Sequence, residues 1–522
     1  MVYRGRLGKG CAECRAKKTR CDAARPSCGQ CKRAGRQCSG YRDLDALRVV
    51  DQTSLVSQKS SRKTNSPTRA TSSGTPLGSG YVGSSSSSPA NSKSSQEDLL
   101  EKIVPGVRSF TSPHFWALQE ASFLLFDQFI SVASTCPKTE LDFVALLYGD
   151  VPSHGMLASM VSALGFMALP SHQRAQSHQM FAREQYVSAV RETQKALQDP
   201  NRATSDETLA TVLLLGLYEF VDAEEPQFNT SSRLSMHLEG SIKLLQLRGD
   251  AGMDHMSGTR MFHRICSQVV LGCMHRRLRI PEALLSFADS MHKHLHAEEM
   301  MALEVVKIAA QLCGILASTT VVEPSEAVDH FNTLLSLEHQ LAAWEQRTSF
   351  RYHCRREPLR NSESAKRIPL RHQDTYFSHI AASCVNRYRS VRIVVNEEMI
   401  RLFEMVPTLI TAAGVEGNRQ CQVASITIAK MSEEIAYSLP FFFGEETCHL
   451  NVSEQDGIDS KPRAGMHAAT VTLMPIYFSA TQRVSPEMYR WLMRYLNWIG
   501  QSLGIGRANA LRRERQLLED LG

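Results

Sequence analysis

The chain has 522 residues and a mass of 58.2 kDa, with 43% hydrophobic and 21% charged residues. That is enough apolar material for a sizeable core, which excludes global disorder, and at roughly 150 residues per domain it allows three or four units. The formal net charge of +6 hides an asymmetry: residues 1–42 carry +10, residues 43–100 carry +1 and residues 101–522 carry −5. A polyanion partner is therefore expected for the head alone.

No stretch reaches the ~18 consecutive apolar residues of a membrane span. The best run, Leu209 to Phe220, contains Thr211 and Glu219. The opening Met-Val-Tyr-Arg-Gly-Arg lacks the apolar region of a secretory signal. The expectation is an intracellular protein without a membrane partner, its thiols kept reduced.

Of the 14 cysteines, six lie within residues 11–38: Cys11, Cys14, Cys21, Cys28, Cys31 and Cys38. Their spacing is C-x2-C-x6-C-x6-C-x2-C-x6-C, and the last three repeat the first three at an offset of 17 residues. Clustered thiols in a reducing compartment point to metal rather than disulfides, and tetrahedral sulfur coordination selects zinc. Six sulfurs cannot build two separate four-ligand sites, so a pair of zinc ions requires two bridging thiolates. A metal store or a redox cluster would use the same thiols, but nothing else in the chain supports either. A head of about 40 residues buries little apolar surface, so metal must supply its folding energy.

This spacing resembles the fungal Zn2Cys6 (binuclear zinc cluster) transcription factors, all six positions matching without insertion. The resemblance implies Cys11 and Cys28 as bridging ligands, with Cys14 and Cys21 completing one site and Cys31 and Cys38 the other. It also implies a short helix after Cys11 entering the major groove of double-stranded DNA. Lys17 and Lys18 then stand where the family reads a CGG triplet, and Lys donating to guanine O6 and N7 is the physical basis of that preference. Arg15 and Arg20 are assigned to phosphates, which give affinity without sequence information. The second half, Cys31-Lys32-Arg33-Ala34-Gly35-Arg36-Gln37-Cys38, has small residues in place of Lys17 and Lys18 and is read as a backbone clamp. Arg25-Pro26 is a turn between the halves. Six thiolates and two Zn2+ ions lower the charge of the head from +10 to about +8, still strongly basic.

Next comes a single predicted helical turn around Leu44 and Leu47, far short of the three to four heptads of a zipper. Many members of the family dimerise through a coiled coil at this point, so half-site spacing stays open here, with monomeric binding or a homodimer through the body as alternatives. Residues 51–100 hold 16 Ser, 5 Thr, 4 Gly and 3 Pro, with an unbroken serine run from Ser84 to Ser88. This reads as a disordered tether. The expected organisation is a DNA-binding cluster at 7–42, a Ser/Thr-rich linker at 43–100 and a helical regulatory domain at 101–522.

From about residue 101 helical periodicity dominates, and the fold class is all-α with a dozen or more helices. Ala158, Val161, Leu164 and Met167 share one predicted face. Thr204-Ser205-Asp206-Glu207 reads as a capping box before the run Leu209 to Leu215. Leu303, Val306, Ala310, Cys313 and Leu316 form a further stripe, with Cys313 a core residue. Val328, Phe331, Leu335, Leu341 and Trp344 form the next. Strand alternation is lacking. The body also resembles the regulatory domain common behind such clusters. The matching phrases are Glu207-x-Leu209 to Tyr218-Glu219, His237-Leu238-Glu239-Gly240 with Leu244-Leu245 and Arg248-Gly249, Asn386-Arg387-Tyr388-Arg389, Ser438-Leu439-Pro440-Phe441, and Trp498-Ile499 with Gly504-Ile505. Met236 stands where an aromatic often precedes the histidine.

Three rival sites lack the surrounding features they would need. His292, His296 and Glu299 fall at i, i+4 and i+7 of one predicted helix, but there is no HExxH and the run is polar, so a solvated face is the reading. Gly504-Ile505-Gly506 begins a partial dinucleotide fingerprint, but Asn509 occupies the last glycine position and no strand precedes it. The remaining cysteines, Cys136, Cys266, Cys273, Cys313, Cys354, Cys384, Cys421 and Cys448, are scattered, and no G-x-S-x-G appears. No catalytic or organic-cofactor residue is assigned, and no enzyme is expected. The expected function is a nuclear, zinc-dependent, sequence-specific regulator of RNA polymerase II genes, with DNA, the transcription machinery and co-regulators as partners. The alternative makes the helical body a small-molecule receptor or enzyme that the zinc head only addresses to chromatin.

Overall fold

Helix-period patterning in the sequence becomes 18 α-helices among the described residues of a computed structural model. The chain divides into two compact units, Met1–Ala90 and Asn91–Gly522. In the first, the structure describes positions 11, 14, 19, 21–22, 24, 27–35 and 37–38. In the second it describes 113–130, 139–149, 155–169, 173–222, 233–250, 253, 255–318, 324–359, 369–412, 416–444 and 465–521. The expected tether at 43–100, the turn around Leu44, Arg25-Pro26, Cys136 and Cys448 lie outside the described residues.

The first unit contributes α1 (Gly29–Arg33). The body opens with α2 (Pro113–Leu125), α3 (Asp142–Tyr148), α4 (Met156–Met167), α5 (Gln176–Leu197), the single turn α6 (Pro200–Ala203) and α7 (Asp206–Asp222). The sequence suggests one apolar face on α4, yet all twelve of its residues are buried. It lies among α2, α5 and α7, and a helix apolar all round has to be enclosed. The α5 face that meets it carries Ala182, Ala189, Thr193 and Ala196, short side chains that let the axes approach, with Gln185 among them. On the other side, a Cβ on Gly165 of α4 would stand 1.8 Å from the Ala121 carbonyl oxygen of α2, so that crossing admits only glycine. The cap of α7 is Ser205, whose Oγ accepts from the Thr208 amide at 3.2 Å. The predicted box is thus shifted: Thr208 stands three residues after the cap, and its hydroxyl meets Ser205 as well.

Next come α8 (Arg233–Arg248), α9 (Met256–Arg276), α10 (Glu282–Ser290), α11 (Ala297–Ser318) and α12 (Pro324–Arg347). By length and composition Glu299–Ser318 could cross a bilayer, but α11 packs on α9, α12 and the helix beginning at His379. Its Leu303, Val306, Cys313 and Leu316 lie in the common core. From α12 the same core receives Phe331, Leu341 and Trp344, and Trp344 Nε1 donates to the Met301 carbonyl at 2.8 Å.

A short antiparallel ribbon, β1 (Arg355–Pro358) against β2 (His372–Thr375), interrupts the helices. The sequence hides it, because Arg-Arg-Glu-Pro and His-Gln-Asp-Thr show no apolar alternation. Ion pairing holds it instead: the Arg356 guanidinium grips Asp374 through Nε at 2.8 Å and Nη2 at 3.0 Å. The remaining helices are α13 (His379–Met405), α14 (Pro407–Ala412), α15 (Gly417–Phe443), α16 (Gly465–Ser479), α17 (Pro486–Gln501) and α18 (Gly506–Leu521). Gly504 separates the last two, with φ at +71°, a conformation glycine adopts freely.

The long α13 is the hub of the body, packing on α9, α11, α12, α15 and α16. Its four residues Asn386 to Arg389 point in different directions, and all are buried. Asn386 Nδ2 donates to Ser438 Oγ at 2.8 Å, so two of the phrases noted in the sequence meet here. Tyr388 stacks on Trp344 at 4.7 Å, and Arg389 Nη1 donates to the Tyr376 hydroxyl at 2.7 Å.

Candidate metal centre and nucleic-acid interface

All six head cysteines converge. The Sγ atoms of Cys11, Cys14, Cys21 and Cys28 lie within 4.8 Å of one another, and so do those of Cys11, Cys28, Cys31 and Cys38. Cys11 and Cys28 belong to both quartets, as two fused four-sulfur sites require. The sulfur separations Cys11–Cys28, Cys11–Cys31 and Cys14–Cys28 are each 3.7 Å. A tetrahedron with Zn–S bonds of ~2.3 Å has edges of ~3.8 Å, so the donor set fits zinc in both number and spacing.

Local backbone bonding aims these sulfurs. Cys28 caps α1, its Sγ accepting from the Cys31 amide at 3.3 Å. The Cys11 amide donates to Cys21 Sγ at 3.4 Å. Between the two halves, the Asp22 carboxylate accepts from the Gly29 amide at 3.0 and 3.1 Å. In the sequence Asp22 belongs to no motif, and an acidic residue immediately after a cysteine, seven residues before a helix start, is its available signal. Burial pushes the Cys14 thiol up, and bonding to Cys28 together with burial does the same to Cys31. A divalent ion must displace those protons, so metal affinity falls as pH drops.

Thr19 is exposed, and its amide donates to the Cys14 carbonyl at 2.9 Å. Lys32 and Arg33 are exposed in the last turn of α1, placing two cations of the second half at the surface. Arg15, Lys17, Lys18 and Arg20 lie outside the described residues.

The rival sites resolve as follows. His292, His296 and Glu299 do not share a helix. A 3-10 turn spans Met291–Lys293, α11 starts at Ala297, and Glu299 Oε2 accepts from the His296 amide at 3.0 Å. Cys313 is fully buried, as expected of a core thiol.

Residues 9–46 match the family described as the fungal Zn(2)-Cys(6) binuclear cluster domain, and residues 109–272 match the fungal specific transcription factor domain. The phrases from Asn386 onward fall beyond the second match. Comparison with curated proteins and with solved structures gives no match.

Proposed function

We propose that this chain, a zinc-binding, DNA-binding transcription factor of the fungal Zn2Cys6 type, reads CGG-type triplets in the major groove and regulates RNA polymerase II genes in the nucleus. The observation that carries the reading is the pair of sulfur quartets sharing Cys11 and Cys28. In the proposed centre those two cysteines bridge, Cys14 and Cys21 close one site, and Cys31 and Cys38 close the other. Zinc supplies the crosslinks that a head of this size cannot obtain from apolar burial.

The basic residues Arg15 to Arg20 fall between two of the proposed zinc ligands, Cys14 and Cys21. Lys17 and Lys18 donate to guanine edges, while Arg15 and Arg20 hold phosphates. Lys32 and Arg33 extend the phosphate footprint on the second half. The proposed division remains 7–42 for DNA binding, 43–100 as tether and 101–522 as the regulatory body. In it the body recruits co-regulators, is the homodimer contact if one forms, and has no enzymatic role.

Lys18→Ala should weaken binding to a CGG duplex by ~1–3 kcal/mol while leaving scrambled DNA nearly unaffected. Arg20→Ala should weaken both alike and reduce the salt dependence by about one unit of slope. Fluorescence anisotropy titrations of the zinc-loaded protein measure this. Equal losses on both duplexes for Lys18→Ala would remove Lys18 from base reading.

A further inference from the structure

The two halves of the head repeat at an offset of 17 residues, but not at every position. Gly29, directly after Cys28, corresponds to Ala12, directly after Cys11. Gly29 is the first residue of α1, where alanine would favour the helix more. Space explains the glycine. A Cβ there would stand 2.5 Å from Asp22 Oδ2 and 3.6 Å from Asp22 Cγ. The bare α-carbon lets the carboxylate lie against the backbone, where the Gly29 amide donates to Oδ1 at 3.1 Å and to Oδ2 at 3.0 Å. The Ala24 amide donates to the same Oδ1 at 3.5 Å, which draws the chain after Cys21 into a turn.

This contact joins the chain neighbours of two sulfurs. Asp22 follows Cys21 and Gly29 follows Cys28, so one side chain closes the segment between those cysteines. Beyond Cys28 the helix itself sets the geometry: Cys28 Sγ accepts from the Cys31 amide at 3.3 Å, and the Cys28 carbonyl accepts from the Lys32 amide at 3.1 Å. Cys31 is thus held to Cys28 by α1, and Cys21 is held to it through Asp22. Cys21 and Cys28 occur together in the first sulfur quartet, whereas the second contains Cys28 without Cys21.

We propose that Asp22 is a positioning residue for the metal ion of the first quartet: it draws Cys21 and Cys28 together before the ion arrives, and Gly29 is the space that admits it. The proposal rests on the ligand assignment given above. Asp22 belongs to neither quartet. It acts by closing the segment between Cys21 and Cys28, whose ordering the ion would otherwise have to offset alone. The ion of the second quartet, held by Cys28, Cys31 and Cys38 around α1 together with Cys11, depends on it much less.

The test is zinc release from the full chain, titrated with the chromogenic chelator pyridylazoresorcinol and counted in equivalents per chain. The native chain sets the reference for its two equivalents. Asp22→Ala should release one equivalent at roughly tenfold lower chelator and the other within about twofold of the native range. Asp22→Asn keeps an acceptor oxygen for the Gly29 amide and should restore the native curve. Gly29→Ala should reproduce Asp22→Ala, because its methyl displaces the carboxylate, and the double variant should be no worse than either single one. Since alanine favours the helix, Gly29→Ala also keeps the test decisive if Asp22→Ala does not fold. An equal shift of both equivalents, no shift, or a Gly29→Ala curve like the native one would overturn the proposal. A native chain that binds fewer than two equivalents would overturn the ligand assignment beneath it, and the proposal with it.

Discussion

His379 and His467 stack face to face in the core, the second of them wholly buried. Burial lowers the His379 pKa from 6.5 to about 4, with the Phe441 backbone opposing, and it also holds His467 well below 6.5, helped by His379 and Arg264. The sign of the linkage follows. Between the folded and unfolded pKa values the unfolded chain binds the extra protons, so stability is complete above pH 6.5 and is lost as pH falls toward 4. His379 alone should account for ~3 kcal/mol of that loss. Urea unfolding of the body from pH 7 to pH 4 measures it, and His467→Phe should flatten the slope. The same residue scale shows what buried charge does elsewhere. Asp374 is fully buried, meets Arg356, and lies 3.6 Å from Arg389, so the ribbon it anchors is held by ion pairs rather than apolar alternation.

Among the elements, α4 decides how the first half of the body packs. Its twelve buried residues leave no solvent face, and α2 approaches so closely that Gly165 has the Ala121 carbonyl in place of a side chain. Gly165→Ala should therefore destabilise the body by ~1–3 kcal/mol despite the better helix propensity of alanine, because backbone must move to admit the methyl. A lower thermal midpoint with unchanged zinc content is the expected result. Unchanged or raised stability would mean that α2 can shift freely. At the other end, α13 joins phrases far apart in the chain: Asn386 reaches Ser438, Tyr388 reaches Trp344, and Arg389 reaches the Glu434 carbonyl at 3.1 Å. Those residues are framework, which accounts for their recognisable pattern without assigning them a ligand. Arg387 differs from its neighbours in being buried with its Nε unpartnered.

For the whole molecule, the two units draw stability from different sources. The body has one continuous core running from α2 to α18, whereas the head has its six cysteines clustered on themselves. A chelator should therefore unfold residues 7–42 and abolish DNA binding while leaving the helical signal of the body nearly unchanged. Circular dichroism, metal analysis and DNA titration on one sample check this; retained DNA affinity after verified zinc loss would reject metal-dependent folding.

The metal centre was legible in the linear order of residues because thiolate chemistry and tetrahedral geometry leave few uses for six cysteines at that spacing, and counting alone demands two shared sulfurs. The all-helical class was legible too, since apolar spacing is a local property, as the stripes on α11 and α12 illustrate. Other features are set by contacts between distant residues, which no local pattern encodes. The enclosure of α4 on every side, the ribbon held by Arg356 and Asp374, the break that separates His292 from Glu299, and the pairing of Glu140 with Arg264 all depend on which helices become neighbours. Neighbourhood is chosen by the packing of the entire core, and it was the tertiary structure that brought these charges together.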